Sequence, residues 1–149
     1  NYSVNYVNAP SIARDRGINL VVASAPGGSD YANAITVEVQ RAGGRTTVVQ
    51  GAVFAAGTVR LTRIDGFRME AVPEGHILML HNRDVPGVVG RIGTLLGENG
   101  INIAGLELGR EQVGGMALSL FHVDDGVPPA VLEQVRQLPQ IVSAELLRL

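Results

Sequence analysis

The sequence predicts an α+β chain in two parts: a small, mostly antiparallel β domain with a short helix, then a domain of order βαββαβ. Three observations carry this. Residues 34–71 are runs of β-branched residues broken by glycine turns, the pattern of consecutive hairpins. From His76 onward, stretches with period 2 alternate with two stretches whose apolar residues recur about every 3.6 positions. The charge also changes sign: residues 1–72 hold seven arginines against five acids, and residues 73–149 hold five against nine. We place the boundary at Pro73-Glu74-Gly75, giving domains 1–74 and 75–149.

In the first part, "VNYVNAPSIARDRGINLVVASA" reads as a short strand, a turn at Asn8-Ala9-Pro10, a helix from Pro10 to Arg16 stopped by Gly17, and a strand from Ile18. Residues 21–34, rich in Gly, Ser, Pro and Asn, read as a loop. "AITVEVQ" and "RTTVVQGAVF" form a hairpin around Ala42-Gly43-Gly44, and "TVRLTRID" and "FRMEA" form another around Gly66. A sheet of this size has a modest core, so it is expected to lean on a neighbouring domain or on a second copy of the chain.

In the second part the expected order is strand 76–82, helix 86–98, strand 102–109, strand 115–123, helix 128–138 and strand 141–148. That is the split-βαβ, ferredoxin-like arrangement, with both helices on one face of an antiparallel sheet. Val88, Val89, Ile92, Leu95 and Leu96 make one apolar helix stripe, and Val131, Leu132, Val135 and Leu138 make the other. Pro128 pre-sets the start of the second helix and Pro139 ends it.

Composition excludes several functions. There is no cysteine, hence no disulfide, thiolate nucleophile or Cys-based zinc site. There is no lysine, hence no Walker A loop, and no G-x-G-x-x-G occurs among Gly87, Gly90, Gly93, Gly97 and Gly100. His76, His81 and His122 lack metal-ligand spacing, and Ser24, Ser29 and Ser119 have no base beside them in sequence. No catalytic or metal-binding residue is assigned. A net charge of −2 gives no pull toward nucleic acid, and there is neither a membrane-length apolar run nor a signal-peptide pattern, so a soluble intracellular chain is expected. The first residue is Asn1 rather than Met, so a piece of a longer protein is expected.

One stretch stands apart, "HNRDVPGVVGRIGTLLGENGINI", His81 to Ile103. Gly87, Gly90, Gly93 and Gly97 each cost up to about 1 kcal/mol against alanine inside a helix, so a face flat enough for a partner chain or small ligand is expected there. Asn82 and Asp84 precede the helix, where unpaired backbone amides attract anions. Asn102 begins the next strand, at the opposite end of the sheet in a βαβ unit. Asn102 of one chain would meet Asn82 and Asp84 of another if two chains paired side by side through this helix and strand edge. An amino acid suits such a seam, its ammonium on Asp84 and its carboxylate on amides. The alternative is that Asp84 caps the helix and Asn102 fills a turn.

The stretch "NRDVPGVVGRIGTLLGENGINIAGLELGR" resembles the opening of an ACT domain, an amino-acid-sensing module. In particular it resembles the one that ends bacterial D-3-phosphoglycerate dehydrogenases. "VNYVNAPSIARDRGI" and "GAVFAAGTVRLTRIDGFRMEA" resemble the allosteric-substrate-binding domain that precedes it in the long form of that enzyme. The resemblance implies a cytoplasmic regulatory region, no cofactor of its own, and NAD bound by the catalytic domains of the parent chain. The parent would oxidise 3-phosphoglycerate to 3-phosphohydroxypyruvate, the first committed step of serine synthesis. L-serine would bind between paired ACT domains of a homodimer or higher homo-oligomer, at Asn82, Asp84 and Asn102, and inhibit. Arg60 and Arg68 match positions at which relatives bind an anionic effector. The runner-up readings are the regulatory region of a bacterial L-serine dehydratase and a free-standing amino-acid sensor.

Overall fold

The computed structural model describes residues 4, 5, 7–23, 31, 33–41, 43, 44 and 46–149. The loop expected at 21–34 lies largely outside them, as do Ser24, Ser29 and Ala42. The chain divides into two compact units, Asn1–Asp30 and Tyr31–Leu149.

The first unit holds α1 (Ala9–Asp15), one residue earlier than its sequence pattern predicts. Asn5 sets up its start: the Asn5 side-chain oxygen accepts the amides of Val7 and Asn8 at 2.9 and 3.0 Å. The strands expected at 4–7 and from Ile18 do not form among the described residues. A strand exists only when a neighbour completes its hydrogen bonds. None does so among the described residues, and Ile18, Leu20, Val21 and Val22 stay more than half exposed.

The second unit contains two four-stranded antiparallel sheets. The first is β1 (Ala34–Gln40), β2 (Thr46–Val53), β3 (Val59–Ile64) and β4 (Phe67–Ala71), in that order. Asp65 makes the tight β3–β4 turn with φ of 50°, and its carboxylate accepts the Val48 amide at 3.0 Å. The second sheet follows β5 (His76–Arg83), α2 (Val88–Glu98), β6 (Ile103–Arg110), β7 (Met116–Val123), α3 (Pro129–Arg136) and β8 (Ile141–Arg148). Its strands lie in the order β6-β7-β5-β8, the split-βαβ arrangement. The segment Val72–Gly75, where the sequence suggests a boundary, joins β4 to β5 within this unit.

Period-2 patterning assigns the two faces of the second sheet. Leu78, Leu80, Phe121 and Val123 point toward the helices and pack with Val88, Ile92, Leu96, Val131 and Val135. Ile77, Leu118 and Leu120 point the other way and pack against Ile64, Phe67, Met69 and Ala71 of the first sheet. The first sheet thus leans on the second through β4, which lies against β6 and β7. Gly109 lies at this contact. A Cβ there would stand 2.7 Å from the Arg68 carbonyl oxygen and 3.1 Å from Phe67 Cβ, so only glycine lets β6 and β4 approach this far. At its other end the first sheet is uncovered, and Ile35, Val37 and Val39 of β1 are 72%, 53% and 47% exposed.

Candidate functional site

The turn after β5 begins at a buried residue. Asn82 points into the helix side of the sheet, 2% exposed, where its Oδ1 accepts the Ser119 hydroxyl at 2.8 Å and its amide donates to the Arg83 carbonyl at 3.0 Å. Asp84 is fixed through its backbone, donating to the Gly115 carbonyl at 2.9 Å. Its carboxylate accepts the Gly114 amide at 3.3 Å and the Arg110 guanidinium at 3.2 Å. It ties the β6–β7 hairpin to the end of β5.

Asp84 does not cap α2, and α2 begins at Val88 rather than at Pro86. Gly87 has φ of 89°, a left-handed conformation that cannot belong to the helix and costs little only for glycine. Pro86 and Gly87 therefore form the turn before the helix, and no side chain caps it. The glycines inside α2 are three: Gly90, Gly93 and Gly97. A Cβ on Gly90 or Gly97 would meet nothing within 4 Å, and one on Gly93 would make an ordinary contact with Ile103 at 3.9 Å. The chain's own packing does not require them.

Asn102 precedes β6, and its amide donates to Asp124 at 2.7 Å. β5 and β6 run parallel with β7 between them. Asn102 thus lies at the far end of the sheet from Asn82 and Asp84, and one chain does not bring the three together. The same strand direction puts Arg110, at the end of β6, beside Asp84. β6 is an edge strand, and its helix-side residues Leu106 and Leu108 are 39% and 41% exposed, as are Val85 (38%) and Val89 (39%) nearby.

On the first sheet, Arg63 of β3 stands directly opposite Arg68 of β4, whereas Arg60 pairs with Ala52 of β2. The register places Arg60 several residues along the sheet from Arg68. The histidines are all part of the sheet. His81 Nδ1 is 3.0 Å from Ser143 Oγ with the Phe67 ring edge-on to it, and His122 Nε2 is 3.0 Å from a Glu107 carboxylate oxygen, too misaligned for a hydrogen bond. The His81–Ser143 pair, across 62 residues, has no signal in the sequence. Nor does Arg110, whose approach to Asp84 depends on strand order. A groove of about 590 Å³ runs between α2 and α3, lined by Gly87, Gly90, Arg91, Leu95 and Leu138 among others. It contains none of Asn82, Asp84 or Asn102.

Two family models match this chain. The D-3-phosphoglycerate dehydrogenase intervening domain covers residues 1–65 and the ACT domain residues 76–140. Residues 1–65 are thus similar to the first of these families and residues 76–140 to the second. The span matched by the ACT model contains Asn82, Asp84, Asn102 and Arg110, the span matched by the intervening-domain model contains Arg60, and Arg68 falls between the two. Over 148 residues, 99% of the chain, it is 34% identical to a D-3-phosphoglycerate dehydrogenase of Bacillus subtilis, of which it spans 28%. It is 36% identical over 146 residues to the enzyme of that name from Methanocaldococcus jannaschii, spanning 98% of the chain and 27% of the relative. A third, from Archaeoglobus fulgidus, is 36% identical over 148 residues and is spanned to 28% of its length. The chain spans between about a quarter and a third of the length of these relatives.

Proposed function

We propose that this chain is the regulatory region of a D-3-phosphoglycerate dehydrogenase, with an intervening domain at 1–74 and an ACT domain at 75–149. The ACT domain binds L-serine at the interface of a homodimer, and serine thereby inhibits its own synthesis. The observation that carries this reading is the bare edge of β6, with Leu106 and Leu108 exposed beside the turn that holds Asp84. Antiparallel pairing of β6 with its copy covers these leucines, together with Val85 and Val89, and completes the hydrogen bonds of both edges. It also sets the start of one β6 beside the end of the other. Asn102 of one chain then approaches Asp84 of its partner, with Asn82 bracing the turn from within.

In the intervening domain, Arg60 and Arg68 serve an anionic effector. Arg63 stands directly opposite Arg68 and adds positive charge to that face. NAD and the phosphoglycerate substrate belong to the catalytic domains of the parent chain, a cytoplasmic enzyme. The names of the relatives favour this over a serine dehydratase or a free-standing sensor.

A thermal-shift screen of the chain against the common amino acids tests the reading. L-Serine at a hundredfold excess over its dissociation constant should add about 2.7 kcal/mol of stability. No response to serine, with a response to another amino acid or to none, overturns it.

A further inference from the structure

We infer that Arg110 captures the α-carboxylate of the amino acid bound at the seam while Asp84 holds its α-ammonium, which makes the site selective for free α-amino acids. This rests on the amino-acid reading above and names the residue that sets its specificity.

The two groups are already set as the two halves of a receptor for a zwitterion. Arg110 Nη1 lies 3.2 Å from Asp84 Oδ2, with the guanidinium side chain 53% exposed and the carboxylate 20% exposed. An exposed ion pair of this kind contributes little by itself, so exchanging it for a ligand of complementary charge costs little. Asp84 is held at its backbone by Gly115 and at its carboxylate by Gly114, and it stays in place when Arg110 turns away. Arg110 has the length to turn, and its planar fork matches a carboxylate with two parallel hydrogen bonds. Its backbone, by contrast, is anchored. The preceding residue, Gly109, sits against the Arg68 carbonyl with no room for a Cβ, which fixes where the Arg110 side chain starts.

Strand direction supplies the third side. Arg110 ends the same edge strand that Asn102 precedes. In the antiparallel β6 pair, the partner's Asn102 therefore arrives at the Arg110 end, oriented by its 2.7 Å hydrogen bond to Asp124. A zwitterion there meets an acid, a base and an amide. An amine without a carboxylate leaves the Arg110 fork unused.

The test is calorimetric titration of the 149-residue chain with L-serine and with ethanolamine, which is serine without its carboxylate. Wild type should bind serine at least about tenfold tighter than ethanolamine. Arg110→Ala should weaken serine by about 10- to 100-fold, the range for one charge-assisted contact, and bring the two ligands to similar affinity. Arg110→Lys retains a positive charge near Asp84 and loses the fork; it should fall between the two and guards against a folding defect in the alanine variant. If Arg110→Ala or a folded Arg110→Lys keeps the full wild-type preference for serine, the role of Arg110 is overturned while the seam reading stands. If wild type binds neither ligand, the seam reading fails and the inference with it.

Discussion

Ser119 on β7 donates a 2.8 Å hydrogen bond to Asn82 on β5, both side chains buried on the helix face of the second sheet. Asn82 lies two residues before Asp84, and the pair fixes the end of β5 from inside. Asn82→Ala leaves the Ser119 hydroxyl in the core without that partner, a loss of about 1 to 3 kcal/mol. Urea unfolding of the variant should show a lower midpoint at an unchanged slope. An unaltered midpoint would remove Asn82 as the brace of this turn.

The contact of Gly109 with β4 gives a prediction about the two sheets. A methyl group there meets the Arg68 carbonyl oxygen at 2.7 Å, and backbone cannot move aside as a flexible side chain can. Gly109→Ala should cost about 1 to 3 kcal/mol through overpacking. Exchange protection of the β4 and β6 amides should fall together, because each strand is displaced by the same methyl. Loss confined to β6 would contradict the packing described.

The glycines of the second-sheet helix divide by conformation. Gly97 is helical with open space around its Cβ position, so Gly97→Ala should stabilise the isolated chain by about 0.5 to 1 kcal/mol. Gly87 has φ of 89°, so Gly87→Ala should destabilise it by about 1 to 2 kcal/mol. Thermal unfolding of the two variants should move in opposite directions. Movement of both in one direction contradicts the assignment of Gly87 to the turn.

The β6 edge predicts assembly. Leu108→Glu places a charge on the exposed face of the edge strand, where a paired copy would have to bury it. Sedimentation at micromolar concentration should show a dimer for wild type and a monomer for the variant. A wild-type monomer counts against the seam.

The parts of the fold legible in sequence are those in which periodicity and covalent constraint agree. The second sheet and its two helices follow from apolar spacing with Pro128 and Pro139 as punctuation, and β8 (Ile141–Arg148) has the expected limits. The strand expected from Ile18 fails because β propensity needs a neighbour, which local pattern does not report. β1 shows the same limit from the other side. Its Ile35, Val37 and Val39 alternate as a half-buried strand should, yet they are exposed, because burial depends on what lies over the sheet. Around the candidate site, the position of Asp84 was readable from its place before Pro86. Its partner Arg110, 26 residues away, was not, since only the order β6-β7-β5 with parallel outer strands brings them together.

The central claim is that each amino-acid site is built from two chains, Asp84 from one and Asn102 from the other. Calorimetric titration of L-serine into mixed variants tests it most directly. Asp84→Ala and Asn102→Ala should each fail to bind alone. Mixed and allowed to exchange partners, they should regain binding at one site per mixed dimer, where the Asp84 of one chain faces the intact Asn102 of the other. If the exchanged mixture binds no more serine than either variant alone, the two-chain site is wrong.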